Sequence, residues 1–372
     1  MLSYIVPFIV LILVVVFIHE YGHYYYAKKY GVGITDFSIG FGKEIFGWND
    51  KSGTRWKICW IPLGGYVKFF GDRNVFSQAD HEAILKKYNE EERKKLFTLK
   101  PLYQRAIIVA AGPIANFILA AFIFLFIYMF VGKDFTPAVI NEVQVESPAE
   151  QAGLKKNDVI LEIDGTEVNS ILDVSKLITM STSELIDFKV SRYDQDLLLK
   201  IKPNIILTED NLGNKINKRV VGITLGAQNN QVNHVKLGPV KALYYSAYEV
   251  YFVTSSTLKY LGSMIFGNAD TSQLGGPIRI AKISGQVAQF GIIPFLSMMA
   301  YIAISLGLIN LFPIPLIDGG HLMLYGVEKV LGKQLSETTK EGFCRIGMFL
   351  LLSLMYFATL TVLQSYVLFA GC

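Results

Sequence analysis

The sequence predicts a polytopic α-helical membrane protein of about four transmembrane helices, with a β-loop re-entering on the cytoplasmic side and one small α/β domain inserted outside. Three observations predict it. The 372 residues are 52% hydrophobic and only 18% charged, with mean hydropathy +0.37, too apolar for an ordinary soluble domain. Four apolar runs are long enough to cross a hydrocarbon core of about 30 Å. Between the second and third runs the pattern changes to short strand candidates separated by turn residues.

The first run, 4–27, lacks a basic start and a small-residue cleavage pattern before Lys28 and Lys29, so a retained helix is expected. Within 56–71, W-K-I-C-W-I-P-L-G-G-Y-V-K-F-F-G mixes aromatic and β-branched residues with Pro62, Gly64 and Gly65. Beside a membrane this reads as a β-loop that dips in where protein can satisfy its backbone. Residues 77–100 are highly charged and fit a solvated helix. The second span, 105–131, has no charged residue after Arg105. Together these make an N-terminal membrane region, 1–131.

The inserted domain is placed at 134–205, with strands expected at 139–145, 159–163 and 188–190. Ser147 suits the cap of a short helix, Pro148 its first turn and Glu150 its positive end, with Gly153 ending it. Asp164-Gly165 marks a tight turn. A connecting region, 206–291, contains an amphipathic segment near 239–266, broken by Lys241, Glu249 and Lys259, that suits a helix lying at the interface. The C-terminal membrane region, 292–372, carries spans at 292–312 and 346–370.

Lysine and arginine positions set the orientation. Lys28, Lys29, Arg93, Lys94, Lys95, Lys100 and Arg105 all fall between the first two spans, which places that segment in the cytoplasm. Both termini and the inserted domain are then outside, and the segment with Lys329, Lys333, Lys340 and Arg345 is inside. The net charge of +4 needs no nucleic-acid partner, because lysines facing a lipid bilayer account for it. Cys59, Cys344 and Cys372 show no metal-binding or redox spacing.

The first span holds His19-Glu20-Tyr21-Gly22-His23. Ionisable groups at that depth are costly and mark function. Four residues apart on a helix, the two imidazoles share a face and can grip one zinc while the glutamate reaches its water. A catalytic zinc site needs a third protein ligand. The best source is Asn310-Leu-Phe-Pro-Ile-Pro-Leu-Ile-Asp318-Gly-Gly-His321, where Pro313 and Pro315 break the third span and Gly319 and Gly320 permit close approach. Asp318 ranks first and His321 second. Zinc, one carboxylate and one hydroxide sum to zero charge with neutral imidazoles, which a low-dielectric surround tolerates best.

These stretches, with Ala111-Gly-Pro-Ile-Ala-Asn116 and Gly275-Gly-Pro-Ile-Arg-Ile-Ala-Lys282, resemble the site-2 protease family of intramembrane zinc metalloproteases. The likeness is strongest to the bacterial branch typified by the regulator of sigma-E protease. The resemblance implies His19, His23 and Asp318 as Zn2+ ligands and Glu20 as catalytic acid/base. It implies substrate contact at Asn310 and at a re-entrant loop including Gly64, Gly65, Tyr66, Val67 and Lys68. Residues 143–165 resemble the PDZ domains of that family, with Asn157 where glycine is common, a residue that also tolerates positive φ.

The function expected is a zinc endopeptidase of the bacterial inner membrane, cutting transmembrane segments of single-span proteins near the cytoplasmic side. Clipped anti-sigma factors and remnant signal peptides are the substrate classes the family implies, and peptide C-termini are candidate ligands of the PDZ-like domain. A non-catalytic PDZ-containing scaffold with structural zinc is the alternative, and would need a fourth protein ligand such as His321. A metal transporter would carry more polar groups along its spans than Asn116, Ser297, Ser305 and Asn310.

Overall fold

The computed structural model describes residues 2–71, 88–209, 215–226, 232–266 and 277–333, with a subset of positions between 335 and 353. The chain divides into two compact units, Met1–Ile123 with Gly276–Cys372, and Phe124–Gly275. Three described helices are long and apolar enough to cross a membrane: α1 (Leu2–Lys29), α3 (Leu102–Phe130) and α8 (Ile292–Leu311). The predicted span at 346–370 lies outside the described residues, apart from isolated positions.

In the first unit, α1 ends at a left-handed glycine. Gly31 has φ +67°, and the Val32 N–H donates back to the Ala27 carbonyl. The chain then forms β1 (Ile34–Asn49) and β2 (Arg55–Phe69), a longer structure than the predicted loop at 56–71. Each strand bends and is used twice. Residues 36–39 pair with 65–68 on one side and have 55–58 on the other, while 46–49 pair with 55–58. The result is four strand segments in which 65–69 and 44–49 form the outer lanes. Gly40 and Gly42, at φ +88° and +87°, make the bend. A side chain at Gly40 would meet the Ile61 and Cys59 carbonyls at 2.9 and 3.0 Å.

The hairpin tip is held by Asp50. Its Oδ1 accepts from the Ser52 and Thr54 N–H groups at 2.8 and 2.9 Å, and its Oδ2 from Tyr24 and Trp56 at 3.0 and 3.1 Å. Burial works against its charge, but these hydrogen bonds prevail and keep the carboxyl below its usual range.

Where the sequence predicts a solvated helix over 77–100, the described part holds a single turn, α2 (Glu90–Arg93), capped by Asn89 and followed by a 3-10 turn at Phe97–Leu99. The helix stops there because Leu96 and Phe97 turn inward and are buried. Beyond α8, the break at Pro313 and Pro315 leads through Leu316, at φ +79°, into α9 (Asp318–Leu331). The Arg105 guanidinium, over the Tyr325 ring, reaches Glu328 at 3.2 Å and ties α9 to the start of α3. Pro277 opens α7 (Pro277–Gln289), unassigned from the sequence pattern, which packs on α1 where Gly285 meets Tyr4.

The second unit is a sheet with helices. β4 (Ala138–Val143), β5 (Val159–Ile163), β7 (Ile186–Arg192), β8 (Gln195–Ile201) and β11 (Ile223–Gly226) run in the order β11-β4-β5-β7-β8. Short β6 (Thr166–Glu167) pairs with β5, and β3 (Lys133–Asp134) pairs with β12 (His234–Val235) apart from this sheet. Ile140, Ile160, Ile163, Phe188 and Val190 form its core with Val174 and Ile178 of α5 (Ile171–Met180). The Ser147 hydroxyl accepts from the Glu150 N–H at the start of α4 (Pro148–Gln151), with Pro148 in its first turn. Asn157 takes positive φ, as do Asp164 and Gly165. The sheet runs past residue 205, since β11 is an edge strand and Val221 is buried in the core. Helix α6 (Pro239–Ile265) is joined to α5 by Lys176 and Glu249, 2.5 Å apart.

Candidate metal centre

Two helices of the first unit bring three donors to one point. His19 and His23 lie on one face of α1, and Asp318 opens α9. His19 Nε2 is 3.1 Å from Asp318 Oδ2, His23 Nε2 is 3.5 Å from the same oxygen, and the two nitrogens are 3.2 Å apart. Asp318 heads its helix without capping it: the position before is Ile317, and Asp318 Oδ2 is a buried oxygen with no hydrogen-bond partner among the described residues. The double glycine that follows explains the placement. A side chain on Gly319 would strike the Leu311 and Phe312 carbonyls, and one on Gly320 would meet Pro315 Cα at 3.0 Å.

The ring nitrogens away from the cluster are also held. His23 Nδ1–H donates to the Ile108 carbonyl at 2.9 Å, which leaves Nε2 as a lone pair facing the cluster. His19 Nδ1 lies 3.3 Å from the Asn116 amide. An orphaned carboxylate oxygen and imidazole lone pairs at these separations repel one another unless a metal ion or a proton lies among them. A tetrahedral zinc, with ligands at about 2.0–2.2 Å, sets its donors about 3.3–3.6 Å apart, close to the observed triangle. The donor set therefore fits zinc.

Glu20 is buried and within electrostatic reach of His19, His23 and Asp318. Strand β2 lies directly upon it: a side chain at Gly65 would come within 2.9 Å of Glu20 Cγ and Val16 Cγ1. Gly64 faces the Phe41 ring instead. Asn310, near the end of α8, brings its amide nitrogen 3.4 Å from His19 Nε2. His321 stands outside the cluster, one turn further along α9, where burial lowers its imidazole's proton affinity. Tyr66, Val67 and Lys68 follow on the outer lane of the sheet, half-buried.

The structure adds Ile108, Gly112 and Asn116 of α3 to the site. Gly112 is flat against the His23 ring, with no room for a side chain, and Gly22 meets the Ala111 carbonyl in the same way. The glycines at 22 and 112, each inside an apolar helix, were the available signal of close helix contact.

The family profile described as Peptidase family M50 matches residues 7–354. The chain belongs to peptidase family M50. Its M50 relatives include a protein of Agrobacterium fabrum carrying the description zinc metalloprotease, 40% identical, with 98% of this chain and 96% of that one covered. A Rickettsia conorii protein of the same description is 36% identical over 97% and 98% of the two chains. The metalloprotease MmpA of Caulobacter vibrioides is 33% identical over 95% and 93%. Among solved structures, a PDZ domain of an SdrC-like protein from Listeria monocytogenes aligns with 24% of this chain and 88% of its own, at 24% identity and TM-score 0.20. M50 membership and three spanning-length helices make this a multi-pass membrane protein and a zinc metalloprotease.

Proposed function

We propose that this M50 protein is an intramembrane endopeptidase that cuts transmembrane segments of single-span proteins, with Zn2+ held by His19, His23 and Asp318. The observation that carries the reading is the acceptor triangle of three donors beside a buried glutamate on a spanning-length helix. Three protein donors with His321 outside the group suit an open catalytic site more than a closed structural one.

Bound zinc supplies Lewis-acid polarisation of the scissile carbonyl and of the attacking water. Glu20 takes the water's proton on its carboxylate and delivers it to the leaving amide nitrogen. A helical substrate must first unwind, because its carbonyls are occupied. The outer lane of the sheet at Gly65, Tyr66, Val67 and Lys68 offers backbone groups to an extended segment. Gly65 keeps that lane slim against the site, and the Asn310 amide is within reach to donate to a substrate carbonyl.

The charge pattern supports residence in a bacterial inner membrane with the site toward the cytoplasm, and with the termini and sheet unit outside. The sheet unit reads as a PDZ-like domain whose edge strand β11 suits added peptide C-termini. The substrate classes follow: anti-sigma factors already clipped outside, and signal-peptide remnants. Reconstituted with a single-span substrate, Glu20→Gln should retain stoichiometric zinc and lose cleavage by more than about 100-fold. Undiminished cleavage by that variant would overturn the mechanism.

A further inference from the structure

The apolar helices of the first unit carry few polar side chains, and Asn116 on α3 is one that is fully buried. Its Nδ2 lies 3.3 Å from His19 Nδ1, the ring nitrogen on the far side from the cluster. Its Oδ1 is buried and has no hydrogen-bond partner among the described residues. A neutral imidazole carries one proton, so the atom facing Nδ1 decides where that proton rests. An amide nitrogen there drives the proton to Nε2, into the cluster. A half-turn of the amide, which exchanges two atoms of nearly equal size, presents Oδ1 instead. The orphaned oxygen then accepts from Nδ1–H, and Nε2 keeps a lone pair facing His23 Nε2 and Asp318 Oδ2 at 3.2 and 3.1 Å.

His23 is already held this way from the same helix, by the Ile108 carbonyl. Residues 108, 112 and 116 follow at four-residue steps and so share one stripe of α3. Along it stand the carbonyl that fixes His23, the glycine that admits its ring and the amide beside His19. We propose that Asn116 is a positioning residue of the metal centre: its side-chain oxygen accepts from His19 Nδ1–H and thereby keeps Nε2 free to ligate zinc. This rests on the zinc reading of the His19, His23 and Asp318 cluster.

Two measurements on the full chain in detergent micelles test it. Zinc affinity is read by competition with a chromophoric chelator for wild type, Asn116→Leu and Asn116→Asp. The near-isosteric leucine should weaken binding about 10–100-fold, the usual effect of losing a group that orients a ligand, whereas aspartate, an obligate acceptor, should bind at least as tightly as wild type. In zinc-loaded wild type with 15N-labelled histidine, His19 should show a protonated Nδ1 and a metal-bound Nε2. Unchanged affinity in Asn116→Leu, equal losses in both variants, or ligation through His19 Nδ1 would each overturn the proposal. Wild type that binds no zinc would remove the underlying reading as well, whereas zinc-binding wild type with an indifferent leucine variant removes this inference alone.

Discussion

The two units bury carboxylates under opposite rules. In the sheet unit, the Asp158 side chain is 1% exposed, and Arg192 grips both its oxygens at 2.7 Å while the Lys155 N–H adds a third donor at 2.8 Å. Glu328 in the membrane unit follows the same rule, with Arg105, Lys340 and the Leu335 N–H each at 3.2 Å. Asp318 does not. It faces two imidazole nitrogens and leaves an oxygen without a hydrogen. Where charge is buried for stability, donors surround it. Where it is buried for chemistry, imidazole nitrogens face it, and a metal ion or a proton between them makes the arrangement favourable.

That contrast can be broken in order of expected size. Phe188→Ala should destabilise the sheet unit by about 3–5 kcal/mol through an unfilled core, and Glu328→Ala should cost the membrane unit about as much by stranding Arg105. Hydrogen exchange resolves the two, and zinc affinity should survive the first change. Zinc lost along with the sheet would show that the units are not separately held. Next, Gly65→Ala should overpack Glu20 by about 1–3 kcal/mol and lower cleavage about 100-fold through misplacement, with zinc retained. Gly64→Ala should remain near wild type, since the exposed Phe41 ring can swing aside. Equal loss from both glycines would sink the assignment of the two faces.

The smallest effect concerns Asp50. Its carboxyl is depressed in the folded protein, so its stabilisation is present above the unfolded value near pH 4 and is lost as pH falls below it. Asp50→Ala should cost about 1–2 kcal/mol at neutral pH and flatten that acid dependence, read by exchange of the Ser52 and Thr54 amides.

Much of the centre was legible because its signals are local. Two histidines one turn apart and an aspartate after a proline break can be read along one dimension, and the chain folds them to 3.1–3.5 Å. The caps at Ser147 and the turns at Asn157 and Asp164 were legible for the same reason. The double use of β1 was not. Ile34–Asn49 is interrupted by Gly40, Gly42 and Gly47, which weaken a strand pattern, yet two of those glycines make the bend that lets 36–39 pair on both sides. Asn116 was visible as a polar residue in a span, but its partner lies 97 positions away. Likewise β11 joins the sheet across the intervening β9–β10 hairpin (Asn204–Glu209 and Lys215–Val220), a pairing no local pattern announces.

One helix stripe thereby constrains what α3 can tolerate. Arg105, Ile108, Gly112 and Asn116 serve Glu328, His23 and His19 from a single face, so one inserted residue between the first and last would turn the later ones by about 100° and uncouple them together. Length added beyond Asn116, toward Phe130, leaves all four in phase. Natural variation in this helix should therefore collect in its distal half, while its proximal eleven-step segment behaves as a fixed template that admits changes of side chain but none of spacing.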